Sequence, residues 1–402
     1  MAKLQIDSEL LLHDLEALAS IGADPLGGIT RIAYSPTDLL GRAWVAQQMR
    51  SLQLHVIGDA AGNTLGQYAG TQPLGAIMIG SHTDTVAHGG RFDGTLGVLA
   101  GLACIRALRD AGIHLRHPIE VVNFAAEEAT VLGTFGSSAM AGQLHADDLN
   151  KPAYDGQSIA AHLLAAGFDP AQAILARRSD PIAAYLELHI EQGDVLEADG
   201  TPIGLVEGIV GIRRYRAIYT GQANHAGTTQ MARRHDALIA AAPFILAVRE
   251  VALMYGLVGT TGTLTVQPNV PNVIPGRVEL SCEIRGMDDR ILDQAEADLY
   301  QHAQATGGVL DLIARKPPVA SDPMLLDVLA SCCEQLQVRY RRMPSGAGHD
   351  AMCMAALAPQ AMIFVPSRAG ISHAPDEYTE PQECVQGAQL LLDAIIALDT
   401  IL

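Results

Sequence analysis

The sequence predicts an α/β protein: a mixed, mostly parallel sheet flanked by helices, interrupted by an inserted α+β unit of ferredoxin-like order. Three observations predict it. Up to about residue 210, wholly apolar runs of strand length alternate with helical stretches. From about 212 the strands alternate apolar and polar residues instead, and near Lys316-Pro-Pro the first texture returns. Apolar strands alternating with helices indicate a parallel sheet covered on both faces, whereas half-apolar strands indicate a sheet covered on one. The boundaries drawn this way are 1–211 with 322–402 for a discontinuous larger domain and 212–321 for the insert. A chain of 402 residues, 49% hydrophobic, is long enough for two cores.

Taken in order, 8–21 and 36–51 carry helical patterns. The run Leu74-Gly-Ala-Ile-Met-Ile, bounded by Gln72-Pro73 and Gly80, reads as a buried strand over 74–80. A helix over 95–110 and strands over 119–124 and 184–190 continue the βαβ alternation. Within the insert, a strand at 213–219 precedes a helix at 235–254. Strands at 261–267 and 277–285 follow, then a helix from about 288 and a strand at 308–314. Strand, helix, strand, strand, helix, strand is the order of a split βαβ unit. A helix at 323–336, a strand at 360–365 and a helix at 380–398 complete the larger domain.

Lys and Arg number 26 against 44 Asp and Glu, a formal charge of -18. That balance excludes a phosphate-binding face, and so nucleic acid, as a partner. It offers no basic amphipathic helix to a membrane. The first residues, Met-Ala-Lys-Leu-Gln-Ile-Asp, lack a signal-peptide pattern, and the longest apolar run, 238–248, falls short of the roughly 20 residues of a span. The cysteines form no CxxC pair and no disulfide-like spacing, which suits buried thiols in a cytoplasmic enzyme.

The chemistry gathers where strands end. Gly80-Ser-His-Thr-Asp-Thr-Val places His82 and Asp84 two apart, on one face of a strand end, and Gly89-Gly-Arg-Phe-Asp93-Gly follows on a loop. Asp84 can hold the His82 imidazole while Asp93 binds a metal. After the strand at 119–124 come Glu127 and Glu128, adjacent carboxylates that repel unless cations or protons separate them. One can bind a metal and the other serve as a general base; a helix-capping acidic pair is the alternative. His189 lies in the apolar strand of Leu186-Glu-Leu-His-Ile-Glu-Gln-Gly and His373 in the loop Gly370-Ile-Ser-His-Ala-Pro, where each alone could be a hydrogen-bonded structural residue. Together the five donors suit two divalent ions that activate a water, with Asp93 bridging, His82 and His189 on one ion and Glu128 and His373 on the other. Mixed imidazole and carboxylate donors suit zinc, manganese, cobalt or nickel, and the donors alone do not choose among them; zinc or manganese is the expectation. Asn224-His225-Ala-Gly-Thr-Thr, Pro271-Asn272-Val-Ile-Pro and Glu283-Ile-Arg285 look like substrate contacts. Arg285 offers a fork for a carboxylate, or a surface ion pair. In Ser345-Gly-Ala-Gly-His349-Asp350, His349 could face a cleft or Asp350 cap a helix.

This ordered set of motifs resembles the amidase, hydantoinase/carbamoylase family, within the aminoacylase-like dinuclear metallopeptidases, over almost the whole chain. The resemblance implies hydrolysis of a linear carbamoyl or ureido C–N bond in a small carboxylate substrate, an N-carbamoyl-L-amino acid first and allantoate as the alternative, with an aminoacylase or exopeptidase third. It implies Glu127 as general base, Asp84 behind His82, and Gln192, His225, Asn272, Arg285 and His349 as substrate contacts. It also implies a homodimer in which the insert closes over the site and His225 reaches the partner's site. Two stretches depart from the family pattern: Ala129-Thr-Val-Leu-Gly-Thr-Phe135 replaces a Gly and an Arg-Phe pair, and Gln230 stands where a Pro is common.

Overall fold

The computed structural model describes residues 4–402, so the first three residues of the expected leaderless N-terminus lie outside the described residues. The chain divides into two compact units, one running to Glu207 and resuming over Ser321–Leu402, the other Gly208–Ala320. In chain order the elements are α1 Ser8–Ala19, α2 Pro36–Ser51, β1 His55–Gly58, β2 Thr64–Tyr68, β3 Ala76–His82, α3 Thr95–Asp110, β4 Ile119–Phe124, α4 Phe135–Ala141, α5 Ile159–Ala165, α6 Pro170–Ile174, β5 Ile182–Ile190, α7 Val195–Asp199 and β6 Ile203–Ile209. There follow β7 Gly211–Thr220, α8 Ala237–Tyr255, β8 Val258–Thr260, β9 Leu264–Gln267, β10 Arg277–Gly286, α9 Asp289–Ala305, β11 Gly308–Lys316 and β12 Val319–Ala320. The last are α10 Pro323–Leu336, β13 Tyr340–Ser345, α11 Ala351–Met354, β14 Gln360–Val365 and α12 Pro381–Ile401.

The large sheet runs β1-β2-β4-β3-β5-β14-β6-β12. Its centre, β4-β3-β5-β14, is parallel, while β2 on one side and β6 on the other pair antiparallel. Strands β3, β4 and β14 are buried at every residue, as strands covered on both faces must be. Ile77, Ile79, Val121, Leu186 and Ile363 point into one continuous core with α1, α3, α10 and α12. On the other face α11 lies against β5, β14 and α4. Because the four central strands are parallel, their carboxyl ends share one edge, and register aligns them: His82 pairs with Phe124, and His189 with Phe364.

In the smaller unit the sheet order is β11-β7-β10-β8, all antiparallel, with β9 also on β10. This is the ferredoxin-like order; the strand expected at 261–267 is β9, and β8 lies before the expected range. Tyr215, Ala217 and Tyr219 of β7 and Cys282 and Ile284 of β10 pack beneath α8 and α9. Helix α8 extends past the apolar run at 238–248 to Tyr255, carrying exposed Arg249 and Glu250. By length and composition alone α8 and α12 could each cross a membrane, although most of α12 is buried in its own unit. All six cysteines are buried thiols.

Candidate metal centre

Each of the four parallel strands leads to at least one group at the shared edge. His82 ends β3, Glu127 and Glu128 follow β4, His189 is the penultimate residue of β5, and His373 follows β14. Asp93 enters from the loop between β3 and α3, where Gly94 adopts φ 61 and a Cβ would lie 2.3 Å from His82 Nε2. Only a glycine leaves the imidazole its place there.

Asp93 divides its carboxylate. Oδ1 lies 3.1 Å from His189 Nε2 and 3.7 Å from His82 Nε2, while Oδ2 lies 3.1 Å from His373 Nε2. His373 Nε2 is also 3.3 Å from Glu128 Oε1. The donor atoms of His82, Asp93 and His189 fall within 4.8 Å of one another, as do those of Asp93, Glu128 and His373. Both buried imidazoles are oriented from behind. His82 Nδ1 donates to the Asp84 carbonyl at 3.1 Å and His189 Nδ1 to the Ile190 carbonyl at 2.8 Å, so Nε2 is the ring atom each turns toward Asp93.

The electrostatics favour cations. Burial, then the charges of Asp350, Glu128, Asp84 and Asp93, hold Glu127 well above the usual carboxylate range. Burial also raises Glu128. Asp93 is drawn the other way: burial opposes its charge, but hydrogen bonds from His189 and His373 prevail and hold it well below the ordinary value. Hydrogen bonds to Asp93 and Glu128 raise His373 to about 11. For His189, burial is outweighed by its hydrogen bond to Asp93, and it rises to about 9. Burial takes His82 down to about 4. Protons on His189 and His373 thus neutralise the carboxylates where a divalent ion would, and this donor set fits such ions.

Asp84 departs from expectation. Its nearer carboxylate oxygen is 3.7 Å from His82 Nδ1, too far for a hydrogen bond, so the imidazole is held by the backbone carbonyl of the same residue. The carboxylate instead accepts the backbone N–H of Glu127 on Oδ1 and of Glu128 on Oδ2, each at 3.1 Å. His349 is also set differently: it is 2% exposed, shares a hydrogen bond with Ser345, and stands edge-on to His189 with centroids 4.5 Å apart. This seats it behind a candidate ligand. Glu187, His189 and His349 also lie close enough to hold an ion, but Glu187 already accepts from Ser81, Tyr185 and the Ala351 N–H. Gln192, at φ 59, donates to Asp93 Oδ2 at 2.9 Å, and its Oε1 has no partner among the described residues.

In the smaller unit, the β-bridge between His225 and Val273 joins the two expected contact loops. Asn272 accepts the Ala226 N–H on its carbonyl. His225 is exposed, and its Nδ1 accepts the N–H groups of Gly227 at 3.0 Å and Thr228 at 3.3 Å, which assigns its proton to Nε2. Arg285 Nε donates to Glu283 at 2.7 Å.

Sequence reasoning missed Glu377. It is 3% exposed, and burial followed by the charge of Asp93 raises it to about 7. An acid in a Pro-Asp-Glu turn carries no signal beyond its nearness to His373. Arg31, fully buried and donating to the carbonyls of Leu18, Ile21 and Thr83, was likewise invisible.

Residues 78–397 match the family described as peptidase family M20/M25/M40. The chain is 37% identical over 401 residues to an N-carbamoyl-L-amino acid amidohydrolase of Geobacillus stearothermophilus, covering 97% of this chain and 98% of that one. It is 38% identical over 387 residues to an allantoate amidohydrolase of Escherichia coli strain K12, covering 93% and 94%. Among solved structures, an amidase of the hydantoinase/carbamoylase family from Burkholderia multivorans matches with a TM-score of 0.89 at 36% identity, covering 98% of each chain.

Proposed function

The chain belongs to the peptidase family M20/M25/M40 and to the hydantoinase/carbamoylase amidases within it, and from that premise we propose that it hydrolyses the carbamoyl C–N bond of an N-carbamoyl-L-amino acid. It is a hydrolase of linear, non-peptide amide bonds of the carbamoyl and ureido type. One observation carries the proposal: the two oxygens of Asp93 face two different donor sets, as a carboxylate shared by two cations must. His82 and His189 would hold one ion and Glu128 and His373 the other, zinc or manganese first and cobalt or nickel by the same donors. When bound, such a pair polarises a carbonyl and lowers the pKa of a water.

The remaining work falls to side chains. Glu127, 11% exposed and 3.8 Å from His82 Nε2, takes the proton of the attacking water and returns it to the leaving nitrogen. The exposed Nε2–H of His225 donates to the substrate oxygen as negative charge develops. Arg285 and Asn272 hold the substrate carboxylate, and Gln192 contributes from the end of β5. Departure of the carbamoyl group leaves a free amino acid, carbon dioxide and ammonia.

A panel of N-carbamoyl amino acids, allantoate, 3-ureidopropionate, N-acyl amino acids and dipeptides, assayed with added manganese or zinc, tests this. Ammonia from the carbamoyl amino acids at the highest kcat/KM supports it, and turnover of dipeptides alone would overturn it. A preference for allantoate would establish the second reading, which the 38% identity to an allantoate amidohydrolase supports as much as the 37% identity to a carbamoyl amino acid amidohydrolase supports the first.

The reading extends to a homodimer. The outer face of α8 presents Ile239, Leu246, Leu253 and Met254, all exposed, at spacings that align them along one side. A second copy of the same face is the occupant that symmetry favours.

A further inference from the structure

A second buried carboxylate repeats the arrangement found at Asp84. Glu377 Oε1 accepts two consecutive backbone N–H groups, Phe92 at 2.9 Å and Asp93 at 3.1 Å. Its Oε2 accepts the hydroxyl of Ser372, the residue before His373, at 2.8 Å. That hydroxyl is also 3.3 Å from Asp93 Oδ2. The chain leaves no room for an alternative: a Cβ on Gly90 would stand 1.9 Å from Glu377 Oε1, so the loop wraps the carboxylate through a glycine. Phe92 and Tyr378 close the same junction edge to face, with centroids 5.8 Å apart. One side chain therefore joins two loops 284 residues apart, each carrying a candidate ligand.

We propose that Glu377 is a positioning residue that fixes the distance between Asp93 Oδ2 and His373, and thereby the affinity for the ion these two share with Glu128. The inference rests on the two-ion reading above. Glutamine at this position keeps the size but must turn an N–H₂ toward either the backbone amides or the Ser372 hydroxyl. Aspartate keeps the charge but is one methylene too short to reach both loops. Partners placed like this behind metal ligands typically change affinity by about 10–100-fold when replaced.

The test is titration of the metal-stripped full-length protein with Mn²⁺ against a competing chelator, resolving two affinities, with His373→Ala marking the affected ion. Glu377→Gln is expected to weaken the ion shared by Asp93, Glu128 and His373 by about 10–100-fold and to leave the ion at His82 and His189 near wild type. Glu377→Asp is expected to fall between. Wild-type affinity for both ions in folded Glu377→Gln protein overturns the proposal, as does equal weakening of both. If Glu377→Gln does not fold, Ser372→Ala carries the test, since it leaves the amide pair intact: weakening of the same ion supports the proposal and unchanged affinity overturns it. Wild-type protein binding fewer than two ions per chain would sink the two-ion reading and this inference with it, an outcome visible before any variant is made.

Discussion

Replacing Asp84 by asparagine separates two accounts of how this residue serves the site. If the carboxylate acted through the imidazole, the ion at His82 and His189 would suffer. The geometry points elsewhere, because the imidazole is held by the Asp84 carbonyl, which asparagine retains, while the carboxylate holds the N–H groups of Glu127 and Glu128 at 3.1 Å each. Burial, then the charges of Asp38 and Glu128, push the Asp84 carboxyl up. Yet each oxygen faces a donor, so neither can carry a proton toward its partner, and the arrangement selects the carboxylate. In Asp84→Asn one oxygen becomes an N–H₂ facing an N–H, at a position 1% exposed where water cannot substitute. Loss of one charge-assisted hydrogen bond costs about 1.5–3 kcal/mol, and the surviving one weakens toward a neutral bond worth about 1 kcal/mol. The loop bearing Glu127 and Glu128 then loses roughly 2–5 kcal/mol of preference for its present position, or about 30- to several thousand-fold. Chelator-competition titration with Mn²⁺ should show the ion at Glu128 and His373 weakened and the other retained, with kcat falling as Glu127 loses its place. Selective loss of the ion at His82 and His189 would refute the reasoning.

Glu127→Gln should lower kcat by about 10²–10⁴-fold with metal content unchanged by elemental analysis; retained turnover would remove it as the base. Arg285→Ala should raise KM for carboxylate substrates with little change in thermal midpoint, unless carboxylate-free amides are hydrolysed equally well by the wild type. In the metal-free protein hydrogen bonds to the neighbouring carboxylates raise His189 to about 9 and His373 to about 11, above the ordinary value of about 6.5. Their contribution to stability is therefore complete below about pH 6.5 and lost as pH rises through those values. Metal must displace these protons, so affinity should increase from pH 6.5 to 8.5 with protons released, as calorimetry in buffers of different ionisation enthalpy would register; a pH-independent affinity without release contradicts this. Leu246→Glu, on the exposed face of α8, should halve the mass measured by light scattering, and a wild-type monomer would dispose of the dimer.

The centre of the large sheet was legible because full burial on both faces leaves a strand nothing but apolar residues to use, as in β3, β4 and β14. That the groups at 82, 127–128, 189 and 373 would meet followed from the parallel order alone, which puts every carboxyl end on one edge. The edges were not legible. Strand β1 is largely exposed and pairs with β2 at the sheet's edge, so its residues carry no periodic apolar signal; β2 and β6, mostly buried, are short flanking strands that the sequence pattern does not assign. Strand β8 was missed for the same reason. At Asp84 the residue was found and its working atoms were not, since sequence cannot distinguish a carbonyl from a carboxylate on the same residue. Glu377 depends on a register between loops 284 residues apart that no local pattern encodes.

The candidate groups sit beside backbone that the chain does not adopt freely. Ala126, Gln192 and His373 have φ of 53, 59 and 55 degrees, each a left-handed conformation that costs a residue with a side chain roughly 1–2 kcal/mol. Each is offset by an acceptor close by. The Asp84 carboxylate takes the two amides that follow Ala126, the Ser367 hydroxyl takes the N–H of Gln192 at 3.0 Å, and Glu377 takes the hydroxyl preceding His373. A pair of ions tolerates ligand displacements of only about half an ångström, so a flexible loop would not suffice. Buried acceptors that fix strained turns are then the expected companions of a metal site on a strand edge, and their positions, more than the ligands' own, decide whether five donors act as one centre.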